Sequence, residues 1–357
     1  MQRTLKAGLL GAGRIAQLVH IPLLTSLPDV ELLAFAESDL NARRRVQRMA
    51  PKAAALADYH EVLEMPEIEA VLICLPDALH AEAAIAALEK GKHIYLEKPL
   101  ARNVEEGQRI LTAWQRSGLI GMIGFNYRFN RLYQELKRRV QSGEIGPLRH
   151  VRTVFSTHMK NQERQNSWKP SHVLLRLASH HIDLVRFFFD QEVEEVFAEL
   201  APQESDHDSA TLYLKLANGL TVQSFFSTQT VEEDRVEIYG RYGKLWVDRY
   251  ASLDVEKEDA SRQGARFKKI GRFFQSLEHS PYLIEKQFSP GYHEPSYKKA
   301  LIHFIDSIKN HTAGQPNLWE GYQSLAVVDA AEESARTKTL VRVRDRIPER
   351  VLQHAKG

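Results

Sequence analysis

Short apolar runs alternate with amphipathic segments through the first third of the chain. Residues 5–10 form an apolar run ending in Gly11-Ala12-Gly13, and a helical pattern follows over 15–27. Residues 30–35 are the next buried strand. Asp39 then stands as the N-cap of a charged helix running through Met49. Residues 71–75 and 93–96 read as two more buried strands, separated by an alanine-rich helix over 78–90 that Gly91 stops. A further helix covers 104–117. Strands that alternate with helices predict βαβ units and a parallel sheet covered on both faces.

The pattern changes near Gly124. Residues 130–142 carry Leu132, Leu136 and Val140 at helical spacing. Strand-like runs then dominate, at 149–157, 193–200, 209–216, 221–228, 235–239 and 244–247, with hairpin signals at Asn218-Gly219 and Tyr242-Gly243. A helix over 172–189 interrupts them, and two helices close the pattern at 296–310 and 320–337. The expected fold is α/β: a doubly wound parallel sheet over 1–123, then an α+β domain with a mostly antiparallel open sheet over 124–357. The polar, basic stretch 256–295 has no readable pattern.

Composition narrows the function. With 48 basic and 46 acidic residues, the net charge of +2 gives no general drive toward nucleic acid or a membrane surface. Arg43-Arg44-Arg45 and Lys137-Arg138-Arg139 read as solvated helix faces. The single cysteine, Cys74, lies in an apolar run, so a disulfide within the chain is impossible. No apolar stretch reaches the roughly 18 residues of a membrane span. The N-terminus runs straight into a strand and leaves no room for a secretory leader. A soluble, cytoplasmic protein is expected.

The sharpest motif is Gly11-Ala12-Gly13-Arg14-Ile15-Ala16, between a strand and a helix. In that context GxGxxA signals dinucleotide binding on a Rossmann sheet. Gly11 permits the turn, Gly13 lets the backbone approach a pyrophosphate, and Ala16 lets helix and strand pack closely. The helix N-terminus supplies donors and partial positive charge. Glu37 follows the second strand, where a carboxylate bonds the ribose hydroxyls. A carboxylate there repels a 2′-phosphate, which favours NAD over NADP.

Together with Leu75-Pro76-Asp77-Ala78-Leu79-His80 and Glu97-Lys98-Pro99-Leu100, that motif resembles the glucose–fructose oxidoreductase / inositol dehydrogenase / MocA (Gfo/Idh/MocA) family. The resemblance continues through Gly124-Phe125-Asn126-Tyr127-Arg128-Phe129, Ser142-Gly143-Glu144-Ile145-Gly146-Pro147, Ser179-His180-His181-Ile182-Asp183 and the last helices. It implies an NAD(P)-dependent dehydrogenase acting on CH–OH groups of a sugar, inositol, sugar acid or nucleotide-sugar. It also implies that Gly11, Gly13, Arg14, Ile15, Glu37, Leu75, Pro76, His80, Glu97 and Lys98 line the cofactor, and that Tyr127, Arg128, Arg176 and Asp183 line the substrate. By the same resemblance the open sheet face pairs with a second copy of the chain, as a dimer or tetramer, and the Lys98–Pro99 bond is cis.

Taken alone, a lysine between Glu97 and Pro99 reads as a surface residue. The resemblance implies instead that Lys98 faces the reacting hydroxyl and that His180 is a proton acceptor or donor. His180 and Asp183 share one helix face at i and i+3. Adjacent His180 and His181 face apart, and no metal motif is present, so no metal is expected. The family commonly carries glycines and an aspartate where Ser171, His172 and Arg176 stand here. An arginine at 176 disfavours protonation of His180 and welcomes an anionic substrate, unless it turns away to pair with an acid. Two other classes remain open: an NAD-using glycosidase or lyase that works through transient oxidation, and a non-catalytic NAD-binding sensor.

Overall fold

The computed structural model describes residues 3–158, 173–201, 208–260 and 294–347, which fall into two compact units. The expected helix start at His172, the positions Ser171 and His172, and most of the unpatterned stretch after Glu256 lie outside the described residues.

The first unit holds residues 3–126 and 294–325. Its sheet comprises β1 (Leu5–Leu10), β2 (Val30–Ala36), β3 (Ala54–Leu56), β4 (Ala70–Ile73), β5 (His93–Leu96) and β6 (Gly121–Ile123). The order is β3-β2-β1-β4-β5-β6, and every pair is parallel. This is the doubly wound order, with its switch point between β1 and β4. The buried faces of the central strands are almost wholly apolar, as parallel strands covered on both sides require.

A π-helical turn (Ala16–His20) leads into α1 (Ile21–Ser26). The others are α2 (Leu40–Met49), α3 (Tyr59–Leu63), α4 (Asp77–Glu89) and α5 (Val104–Ser117). Asp39 caps α2 as expected, its Oδ1 accepting from the Ala42 N–H at 2.6 Å. The short β3, α3 and β6 have no counterpart in the sequence reading.

The first unit also takes α8 (Pro295–Asn310), which a division at 123/124 assigns to the second domain. Phe304 meets Tyr95 edge-on at 5.7 Å, Ser296 accepts from Asn126 Nδ2 at 2.9 Å, and Lys309 pairs with Asp29 at 2.8 Å. These contacts bind α8 to the parallel sheet although nearly 170 residues of sequence separate Asn126 from Ser296.

The second unit holds 127–158, 173–201, 208–260 and 326–347. Its strands are β7 (Leu148–His158), β8 (Val193–Leu200), β9 (Ser209–Leu216), β10 (Thr221–Ser227), β11 (Gln229–Gly240), β12 (Gly243–Asp248), β13 (Glu256–Asp259) and β14 (Val341–Arg342), in the order β13-β12-β11-β7-β10-β9-β8-β14. All neighbours are antiparallel except β7 and β10, which are parallel. The sheet is therefore mixed, and mostly antiparallel.

Alternation places Val151, Leu214, Val222, Val236 and Leu245 on the buried face. The other face carries Tyr213 and Phe225, 42% and 38% exposed, among charged residues such as Arg152 and Arg235. The helices of this unit are α6 (Arg131–Gln141) and α7 (Ser179–Phe189), the latter entered through a second π-helical turn (Leu174–Ala178). The last helix, α9 (Leu318–Thr337), contributes its final turns here.

Candidate functional site

In the first unit, the chain leaves β1 and turns at Gly11 with φ of +85°. A Cβ there would lie 2.7 Å from the Cys74 carbonyl oxygen, so the approach of the ends of β1 and β4 demands glycine. Gly13 is exposed, and no atom lies within 4 Å of where its Cβ would stand. That leaves open backbone just before the helix that Arg14 and Ile15 begin. The half-buried carboxylate of Glu37 closes this turn: Oε2 accepts from the Ala12 N–H at 3.0 Å and Oε1 from the Asp39 N–H at 2.9 Å. Arg43 donates to the Glu37 carbonyl oxygen at 2.5 Å, which fixes the loop after β2. The cradle at Gly13 and the carboxylate beside it fit a dinucleotide.

Leu75 and Pro76 follow β4 at the same sheet end. His80 is buried on α4, with Nδ1 2.7 Å from the Pro99 carbonyl oxygen and Nε2 2.9 Å from that of Leu75. Its imidazole thus links the turns after β4 and β5. Lys98 is half-buried just past β5, and its bond to Pro99 is cis.

Glu97 differs from its expected place against the cofactor in one respect. Its Oε1 meets His20 Nε2 at 2.6 Å and its Oε2 accepts from the Lys98 N–H at 3.3 Å, so both oxygens have partners inside the protein. Burial pushes the Glu97 carboxyl up, but the hydrogen bond and charge of His20 and the charge of Lys98 overcome this and hold it below the usual value.

In the second unit, Tyr127 stacks on His180, their centroids 4.4 Å apart. Arg128 and Asp183, both expected against substrate, pair with each other: Nε to Oδ2 at 2.9 Å and Nη2 to Oδ1 at 2.6 Å. Asp183 is 1% exposed, and Arg186 also stands 3.8 Å from it. This bidentate pair locks α7 to the segment before α6. Arg176 is half-buried in the π-helical turn.

Two groups that the sequence reading passed over anchor this region. Asp234, 0% exposed, accepts from Tyr133 Oη at 2.5 Å, from His181 Nε2 at 2.9 Å and from Arg249 Nε at 2.6 Å. Burial pushes its carboxyl up, yet the Arg249 guanidinium and the bonds from His181 and Tyr133 hold it far below the usual range. Arg249 in turn lies 4.6 Å over the Tyr127 ring. Among the described residues, no group of three or more His, Cys, Asp or Glu side chains is placed to hold a metal ion, and no helix is long and apolar enough to cross a membrane.

A doubly wound parallel sheet with a glycine turn and a carboxylate beside it, followed by a unit with a mixed sheet and a helix that bears two buried histidines, defines a two-part dinucleotide-dependent oxidoreductase. Residues 5–125 match the oxidoreductase family with an NAD-binding Rossmann fold, and residues 133–246 match the GFO/IDH/MocA C-terminal domain. The chain belongs to the Gfo/Idh/MocA family. It is 27% identical over 350 residues to a myo-inositol 2-dehydrogenase of Thermotoga maritima, covering 96% of this chain and 99% of that protein. It is 33% identical over 239 residues to an uncharacterized oxidoreductase of Rhizobium meliloti, covering 65% and 71%. A levoglucosan dehydrogenase in complex with NADH and levoglucosan shares the fold, with a TM-score of 0.81 at 22% identity over 96% of this chain and all of that one.

Proposed function

We propose that the chain is an NAD-dependent dehydrogenase that moves a hydride between the cofactor and a hydroxyl-bearing carbon of a sugar, inositol, sugar acid or nucleotide-sugar. The observation that carries this reading is the Glu37 carboxylate closing the glycine turn, on the same sheet whose β5 leads into Glu97 and Lys98. When bound, the nicotinamide dinucleotide supplies the hydride chemistry. The chain's own residues orient it and move a proton. Gly11 and Gly13 admit the pyrophosphate, and Glu37 accepts from ribose hydroxyls. Lys98 and His180 handle the hydroxyl proton, since hydride cannot leave an alcohol whose O–H proton stays. Tyr127 orients His180, and Arg176 faces the substrate.

We further propose self-association through the open sheet face, on which the large apolar side chains of Tyr213 and Phe225 stay 42% and 38% exposed. The cytoplasm, which holds NAD and keeps thiols such as Cys74 reduced, is the proposed site of action.

Screening NAD reduction against a panel of sugars, sugar acids, inositols and nucleotide-sugars tests the activity. Substrate-dependent reduced cofactor is expected. Release of a sugar fragment with no net reduction would replace this reading with a lyase or glycosidase. Light scattering tests the assembly, and a monomer at micromolar concentration would sink it.

A further inference from the structure

Behind Lys98 lies a buried carboxylate whose surroundings are built for it. Glu97 is 8% exposed and His20 1% exposed, and His20 Nε2 meets Glu97 Oε1 at 2.6 Å. Gly124 leaves room for the carboxylate: a Cβ there would stand 3.0 Å from Glu97 Oε2. The π-helical turn that ends at His20 aims its ring inward, and widened turns of this kind recur at functional sites. Tyr95 and Tyr297 meet the His20 ring edge-on at 5.8 and 6.1 Å and hold it in place.

A buried carboxylate is costly unless its hydrogen bonds are met, so one placed next to the lysine of the proposed reaction calls for a role beyond stability. We propose that His20 is a positioning residue: its hydrogen bond fixes the Glu97 carboxylate, whose other oxygen accepts from the Lys98 N–H, and thereby sets the pH at which Lys98 gives up its proton. This rests on the reading of Lys98 as the proton-handling group.

Two further titratable groups, Cys74 and Tyr95, lie near Glu97 among the described residues. Cys74, just past β4, is pushed well up, by burial first and by Glu97 second. Tyr95 on β5 is pushed well up by burial, then by Glu97, Tyr297 and Cys74. Both stay neutral at working pH and compete for no charge. The balance around Glu97 is therefore struck by His20 on one side and Lys98 on the other. Without His20 the buried carboxylate loses its donor and takes up a proton, and Lys98 then loses its anion.

Acetic anhydride acylates only the unprotonated amine, so the pH midpoint of Lys98 acetylation, followed by mass spectrometry of the full chain with and without NAD, reports the effect without a substrate. The midpoint is expected to fall by about one pH unit in His20→Phe and in Glu97→Gln, the size of effect that one neighbouring opposite charge produces. The double variant should fall no further than Glu97→Gln alone. His20→Gln, which keeps a donor, should restore most of the shift. A midpoint that stays or rises in His20→Phe overturns the proposal, as does an additive double variant. If His20→Phe does not fold, His20→Met makes the same comparison. Near-native turnover in Lys98→Met would defeat the reading of Lys98 as the base. The acetylation midpoint is independent of turnover, so the two failures are distinguishable.

Discussion

The ring of Tyr127 lies on that of His180 with centroids 4.4 Å and planes 18° apart. Tyr127 also receives the Arg249 guanidinium at 4.6 Å, and Arg249 is tied to the buried Asp234. His180 is therefore oriented through a side-chain chain that ends in a fixed carboxylate.

Tyr127→Leu removes the stack while keeping an apolar side chain. An aromatic pair contributes about 0.5–1.5 kcal/mol beyond its buried area, so kcat on a substrate identified by the panel is expected to fall roughly 2- to 10-fold. Tyr127→Phe keeps the ring and should fall less. Equal losses in both variants would argue that stacking does not orient His180.

Asp234 ties stability to pH. Its carboxyl is held far below 3.8 in the folded protein, so the folded state binds this proton less readily than the unfolded chain. Its contribution is present in full above the unfolded value and is lost as pH falls through the folded one. Urea melts of the native protein should weaken as pH drops below about 4, the ordinary range for an unfolded aspartate. Asp234→Ala takes the carboxylate from the half-buried Arg249 and from the buried Tyr133 and His181, and is expected to cost about 3–5 kcal/mol at neutral pH. The gap between the two proteins should narrow toward acid, and a constant gap would show that Asp234 titrates alike in both states.

Glu37→Ser with Ser38→Arg should shift binding from NADH toward NADPH in fluorescence titrations, because a repulsive carboxylate leaves and a cation arrives. The shift carries a cost, since Glu37 also accepts from the N–H groups of Ala12 and Asp39 and so shapes the turn itself. NADH affinity should therefore drop further than loss of the ribose bonds alone predicts. A native protein that binds NADPH more tightly would refute the ribose role of Glu37.

Much of this was legible in the chain because the longer elements announced themselves by period and punctuation. The runs 193–200 and 209–216 coincide with β8 and β9 because strict alternation marks a sheet with one buried face. The three-residue β3 and β6 are too short to carry a period, and their pairing partners lie elsewhere in the sequence. Asp234 was hidden in Glu232-Glu233-Asp234, which looks like a solvated acidic run. Counting back by twos from Ile238 and Val236 does place it on the buried face. His20 shares the inward face of Ala16 and Val19, but its partner Glu97 is 77 residues away and no local pattern joins them. The pairing of Arg128 with Asp183 was equally out of reach, because each residue by itself suits a substrate contact as well as an ion pair.

Lys98 carries the last prediction. It follows β5 at the carboxyl end of a parallel sheet, where ligands of such sheets bind. A base must come within about 2.6–3.2 Å of the hydroxyl proton for hydride to leave. Loss of a general base costs about 10²–10⁴-fold, or roughly 3–5 kcal/mol of barrier. Lys98→Met keeps the length and apolar stem of the side chain and removes only the amine. It should abolish most turnover and leave NADH affinity nearly intact, since the adenosine half is proposed to sit at the glycine turn and Glu37. His180→Ala should lose less, because the Lys98 amine remains to take the proton. Arg176→Ala should raise KM chiefly for anionic substrates. Steady-state kinetics with NADH titrations separate these outcomes. A Lys98→Met enzyme with near-native kcat on a true substrate would move the base to another residue and leave Lys98 as a binding group.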